Sequence, residues 1–169
     1  MEKKQSTNVL AAYTQARDQS PMLRSPGGTT MLMRATGAQT GNTLAIVEFI
    51  FPPGSGFPMH IHHREDETLY ILEGTLLVVC GENRVEAKPG TFIYGPRTIP
   101  HGYRSVGNEP ARFLESFLPA GLEQLFLATG EPITDQTRPQ TQKAAEPYMQ
   151  AMADMMAKYQ IDIVGPIPE

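Results

Sequence analysis

The chain has 169 residues, 40% of them hydrophobic, a net charge of -4 and a pI near 5.6, the make-up of one ordinary globular domain with a full core. It has no basic footprint for nucleic acid, since Lys3-Lys4 is the longest run of Lys or Arg, and no apolar stretch long enough to span a membrane. The single cysteine, Cys80, excludes an internal disulfide, and the N-terminus lacks the apolar core of a secretory signal, so a cytoplasmic location is expected.

Residues 1–20 are polar apart from Val9 to Tyr13 and read as a loose arm with a short helix. Ser25-Pro26-Gly27-Gly28 is a turn, and Met31 to Ala35 is a first strand. Gly37 to Asn42 is a second turn. Leu44 to Phe51 is a β-rich run, stopped by Pro52-Pro53-Gly54. Short strands then follow closely: Met59 to His62, Thr68 to Leu72, Thr75 to Cys80, Arg84 to Ala87, Phe92 to Tyr94, Ile99 to Arg104 and Arg112 to Leu118. Many short strands with Gly/Pro turns between them predict a mainly β sandwich or barrel. After Leu118 the pattern turns helical. Leu122, Leu125 and Phe126 mark a short helix ending at Gly130, and Glu131 to Lys143 reads as a loop. A second helix starts at Pro147, with Tyr148, Met152, Met155 and Tyr159 in one apolar stripe. Both helices are expected on the outside of the barrel or against a partner subunit. Residues 1–28 are thus an arm, 29–119 the β core, and 120–169 a helical extension of the same domain.

Three of the four histidines, His60, His62 and His63, stand almost side by side. Along a strand His60 and His62 share a face, and His63 points the other way as a surface or turn residue. Arg64-Glu65-Asp66 reads as a solvated turn. If the chain reverses there, Glu67 returns beside the pair, with Asp66 as the less well-spaced alternative ligand. Two imidazoles and a carboxylate suit divalent iron and its neighbours, and leave positions open for substrate. His101, brought from an adjacent strand, makes a fourth ligand. Cys80, in an apolar run, is expected in the core.

These residues also carry a family resemblance. Gly54, His60, His62, Glu67 and Gly74 keep every spacing of the first cupin motif. Gly90, Pro96 and His101 match the second, with Thr98 where that pattern has glycine and Ser105 where it has asparagine. The chain therefore resembles the single-domain cupins, and among them the quercetinase-like dioxygenases. The resemblance implies a jelly-roll β-barrel with C-terminal helices, and one divalent transition metal ion (Fe, Ni, Mn, Co, Zn or Cu) held by His60, His62, Glu67 and His101. It also implies that Glu67 deprotonates a substrate hydroxyl; the alternative is that Glu67 only holds the ion.

Leu69 and Ile71 share the face of Glu67 and should look into the barrel near the ion, and Phe57, Phe92, Ile93 and Phe117 could add to a greasy interior. Tyr103 shares the face of His101, as a barrel-filling ring or as a hydrogen-bonding group. Such a pocket suits a flat phenolic or otherwise apolar small molecule, and the expected activity is a dioxygenase. The alternatives are a non-oxidative isomerase, cyclase or lyase, and a cupin that only binds a small molecule. Exposed strand edges and a Met-rich helix make a homodimer plausible.

Overall fold

The computed structural model describes residues 11–25, 27–133, 153–154 and 156–169. A 3-10 turn, Arg17–Gln19, leads into β1 (Met22–Arg24) and β2 (Thr30–Ala35). The segment expected to be a plain turn is instead one turn of helix, α1 (Gly37–Thr40). Its cause is local: the Thr36 N–H donates to Gln39 Oε1 at 2.9 Å, the return half of a capping box. The strands then run β3 (Ala45–Phe51), β4 (Gly56–His62), β5 (Asp66–Glu73), β6 (Thr75–Cys80), β7 (Asn83–Ala87), β8 (Phe92–Gly95), β9 (His101–Val106) and β10 (Ala111–Leu118). Helix α2 (Glu123–Thr129) follows, with Gly130 at its end, and then β11 (Glu131–Pro132) and β12 (Ile161–Ile163).

Two antiparallel sheets face each other in a jelly roll. One has the order β11-β1-β2-β3-β10-β5-β8 and the other β12-β4-β9-β6-β7. Alternation decides what lies between them. Along β10 every second residue is buried, so Ala111, Phe113, Glu115 and Phe117 face inward. Phe49 stacks on Phe113 with ring centroids 5.5 Å apart, and Phe51 meets Phe113 edge-on at 5.0 Å. At the β5–β6 turn Gly74 takes φ +69, and its Cα lies so close to Pro110 and Ala111 that no side chain fits there.

Elements from both ends of the chain complete these sheets. β1 pairs with β2 and β11, and β12 pairs with β4. Neither β1 nor β12 was legible as a strand. Each is three residues long and lies on a sheet edge or between short partners, so periodicity has little to work on. The N-terminal segment is tied down by charge: Arg17 Nε lies 2.7 Å from the buried Glu48, which also meets Arg112 at 3.2 Å.

Helix α2 does not pack on the outside of the barrel. Leu125 and Phe126 are buried, and Phe126 meets Phe49 at 5.3 Å and Phe117 at 5.9 Å, closing one end of the interior. Residues 153–154 and 156–158 are helical, as expected, and Tyr159 is buried. Tyr148, Met152 and Met155 of the predicted stripe lie outside the described residues, as does most of the expected loop to Lys143. Cys80 is only half-buried. Among the described residues no helix is long and apolar enough to cross a membrane.

Candidate metal centre

β4 delivers His60 and His62 on its inward face, with Ile61 between them on the other. β9 runs beside β4 and pairs His101 directly with His60. Glu67 comes from the opposite sheet, on β5, rather than from a strand next to the histidine pair. The four side chains therefore meet across the interior and join the two sheets at one end. All four are buried, and their donor atoms lie within 4.8 Å of one another. Glu67 Oε2 is 3.1 Å from His62 Nε2, 3.5 Å from His101 Nε2 and 4.0 Å from His60 Nε2.

The outer nitrogens of His60 and His101 are held from behind by backbone carbonyls. Pro58 O lies 2.8 Å from His60 Nδ1, and Ile99 O lies 2.8 Å from His101 Nδ1. Behind His62 stands a carboxylate, Glu65 Oε2, 3.7 Å from Nδ1. With Nδ1 so faced in all three rings, the three Nε2 atoms are left to converge.

Burial and charge work against each other here. Burial is the main reason His60 falls to about 4. At His62 burial is outweighed by the carboxylates of Glu65 and Glu67, which lift it to about 9. Burial also opposes the charge on Glu67, yet His101 and His62 hold its carboxyl well below the usual range. His101 is raised, Glu67 again overcoming burial.

Unpartnered atoms test whether this cluster suits an ion. Both oxygens of Glu67 and Nε2 of His101 are buried without a hydrogen-bond partner. Such groups are costly unless something binds them. A cation with N and O ligands at about 2.0–2.2 Å would sit among donors spaced as these are. The residues fit a transition metal ion: imidazole and carboxylate serve several of them.

Three of the four, His60, His62 and Glu67, line a small pocket. Its walls include Phe57, Phe117, Leu122, Leu125, Phe126 and Ile161. Leu69 and Ile71 are buried, as their face requires, but they pack in the core rather than line this pocket. Phe92 points outward and is 62% exposed. In β8 its partner is Tyr70, also exposed, so this pair lies on the outer face of the sheet.

Two side chains of the expected solvated turn behave differently. Glu65 is fully buried behind His62. Asp66 is no ligand: both its oxygens bind the Arg97 guanidinium, at 3.0 and 2.9 Å, which holds it at about 2. His63 faces out, as alternation requires, and meets Asp162 of β12 at 2.8 Å. Glu115 had no signal of its own in the motifs. Its place between Phe113 and Phe117, two residues from each, is the sign that it faces inward.

Of the two departures from the second motif, Thr98 sits at a turn and Ser105 within β9. Thr98 adopts φ +69, the left-handed conformation that glycine takes without strain, and its N–H donates to His62 O at 2.7 Å. The Ser105 backbone binds the Gly54 turn, its carbonyl accepting from Gly54 N at 3.0 Å and its N–H donating to Ser55 O at 2.8 Å.

Residues 47–117 match the family model of the cupin domain. Over 70 residues the chain is 37% identical to an uncharacterized protein of Methanocaldococcus jannaschii, covering 41% of this chain and 56% of that one. Over 132 residues it is 25% identical to quercetin 2,3-dioxygenase of Bacillus subtilis, covering 73% of this chain and 39% of the enzyme. Over 116 residues it is 28% identical to tetracenomycin polyketide synthase protein TcmJ of Streptomyces glaucescens, covering 68% of this chain and 76% of TcmJ. The chain thus spans about half or less of the first two relatives. The fold is shared with polyketide cyclase RemF of Streptomyces resistomycificus: TM-score 0.54 at 21% identity, over 88% of this chain and 99% of RemF.

Proposed function

We propose, from the cupin domain that residues 47–117 form, that this protein is a metal-dependent dioxygenase acting on a flavonol-like or other phenolic, apolar small molecule. One observation carries the reading: four buried donor atoms converge, and His60, His62 and Glu67 among them line a pocket whose other walls are mostly apolar. A flat ring would bury its faces against Phe57, Phe117 and Phe126 and present its oxygen towards His60, His62 and Glu67. A bound ion would supply Lewis acidity to that oxygen. Glu67 both holds the ion and takes the proton of the substrate hydroxyl on a carboxylate oxygen. The similarity to quercetin 2,3-dioxygenase supports the oxidative form of the reaction.

The test is metal analysis of protein purified without added metal or a His-tag, followed by oxygen uptake with flavonols and simpler phenols. Near one equivalent of ion and substrate-dependent uptake are expected. Metal without uptake for any phenol would end the dioxygenase reading. The second reading keeps the ion and omits oxygen, as an isomerase, cyclase or lyase. The TcmJ alignment, which takes in 76% of that polyketide synthase protein against 39% of quercetin 2,3-dioxygenase, supports a polyketide-like substrate for either reading. Substrate turnover under argon would select the second reading.

A homodimer located in the cytoplasm belongs to the same proposal. Tyr70, Phe92 and Tyr94 are exposed together on β5 and the edge strand β8, which supports an apolar contact there. Light scattering that returns a monomer mass would remove it.

A further inference from the structure

We propose that a second cavity, on the far side of Phe57 and Phe126 from the metal cluster, holds the body of the substrate, and that Phe57 is the movable partition through which the substrate oxygen reaches the cluster. The inference rests on the metal-dependent reading above, and it adds where the ligand sits and which ring admits it.

The space beside His60, His62 and Glu67 is about 30 Å³, whereas the second cavity is about 270 Å³. A cavity of about 10–15 Å³ holds one water, and one of about 150 Å³ holds benzene. As the side chains stand, the metal pocket therefore admits water but no ring, and the second cavity takes a ring with its substituents.

Phe57 and Phe126 line both cavities. Their ring centroids are 6.5 Å apart, and the Phe57 ring lies 6.4 Å from the ring of His60. A single side chain thus stands between the larger cavity and a member of the cluster. The two rings are not held alike. Phe126 is buried, wedged against Phe49 at 5.3 Å and Phe117 at 5.9 Å. Phe57 is only half-buried, so it is the ring with room to turn.

The second cavity is built where the β1–β2 turn, the start of β4 and the C-terminal tail meet, with Thr29, Ser55 and Ile167 on its walls. The tail is kept there by Pro166, whose carbonyl accepts from Met59 N at 3.0 Å. None of the described residues that line the cavity is charged, and Met31 and Phe51 add apolar surface to that of the two partition rings. A charged group entering it would give up water and find no partner. The part of the ligand it takes is therefore an uncharged ring system.

The test uses cobalt-loaded full-length protein with 2-naphthol as the probe. Titration calorimetry reads its affinity, and the visible bands of the cobalt read the arrival of its oxygen at the ion. Thr29→Trp fills the second cavity and alters no member of the cluster. This variant should take up cobalt as the wild type does and bind 2-naphthol roughly tenfold more weakly or worse. Ser55→Phe, read in the same way, gives the answer if Thr29→Trp does not fold. Phe57→Leu thins the partition, and on rapid mixing with 2-naphthol its cobalt bands should respond several times faster than those of the wild type. A wild type that does not bind 2-naphthol, or unchanged affinity in the filled variants, overturns the cavity assignment. Equal rates in wild type and Phe57→Leu, or bands that never respond, overturn the partition. Failure of the metal reading looks different: wild-type protein would then take up no cobalt, while calorimetry would still compare the filled variants with it.

Discussion

Glu65 stands 3.7 Å behind the Nδ1 of His62, on the far side of the ring from Glu67, whose Oε2 is 3.1 Å from Nε2. The imidazole thus lies between two buried carboxylates, Glu65 standing just beyond hydrogen-bond distance, while His60 and His101 are backed by neutral carbonyls. A carboxylate behind a histidine holds its ring and makes it a stronger donor. Glu65→Gln should therefore weaken metal binding about 10- to 100-fold, the usual effect of losing such support, with little change in secondary structure. Equilibrium competition against a metallochromic chelator measures it. Wild-type affinity in the variant would mean that Glu65 merely fills space.

The ligands themselves should behave differently. His62→Ala or His101→Ala should strip most of the metal, because each removes one of four converging donors. Elemental analysis of the purified variants decides. Either variant with full metal content would show that the cluster is not the site.

Metal uptake should depend on pH in a direction set by His62. In the metal-free protein its pKa is raised to about 9, so the ring is protonated at neutral pH. A cation must displace that proton. Affinity should therefore rise with pH, by about tenfold per unit for each proton displaced, and level off above about 9. Titrations at pH 7, 8 and 9 would show it, with proton release measured in weak buffer. Affinity that is flat across this window contradicts the assignment.

Thr98 offers a test of stability. Its φ of +69 costs a β-branched residue roughly 1–2 kcal/mol, part of which glycine would lose again through the freedom of its unfolded chain. Thr98→Gly should stabilise by about 1 kcal/mol or slightly less, roughly 2–4 °C in Tm. A lower Tm in the variant would show that Thr98 makes side-chain contacts worth more than its strain.

The histidine pair of the candidate site was legible because its cause is local. Strand alternation puts His60 and His62 on one face whatever the rest of the chain does, and the same rule sends His63 outward. The short strands were legible for a similar reason, since Gly and Pro mark the turns between them. Even the end of α2 at Gly130 can be read from neighbours alone.

Other features depend on what lies opposite. Composition makes Glu65 and Asp66 equivalent members of one polar run, yet Glu65 is sealed behind His62 and Asp66 is paired with Arg97. Alternation likewise groups Phe92 with inward-facing rings only if the outer face of β8 is covered, and it is not. That Glu67 comes from the other sheet, that α2 and β12 wall the pocket, and that Tyr103 reaches Glu115 are all contacts between segments far apart in the chain. By itself the sequence determined which residues could bind an ion and which faces they share, because those follow from the two-residue repeat of a strand. The tertiary structure decided which carboxylates are buried beside them and what shape of substrate they meet. Burial and pairing are properties of two packed surfaces, and one strand's pattern describes only one of them.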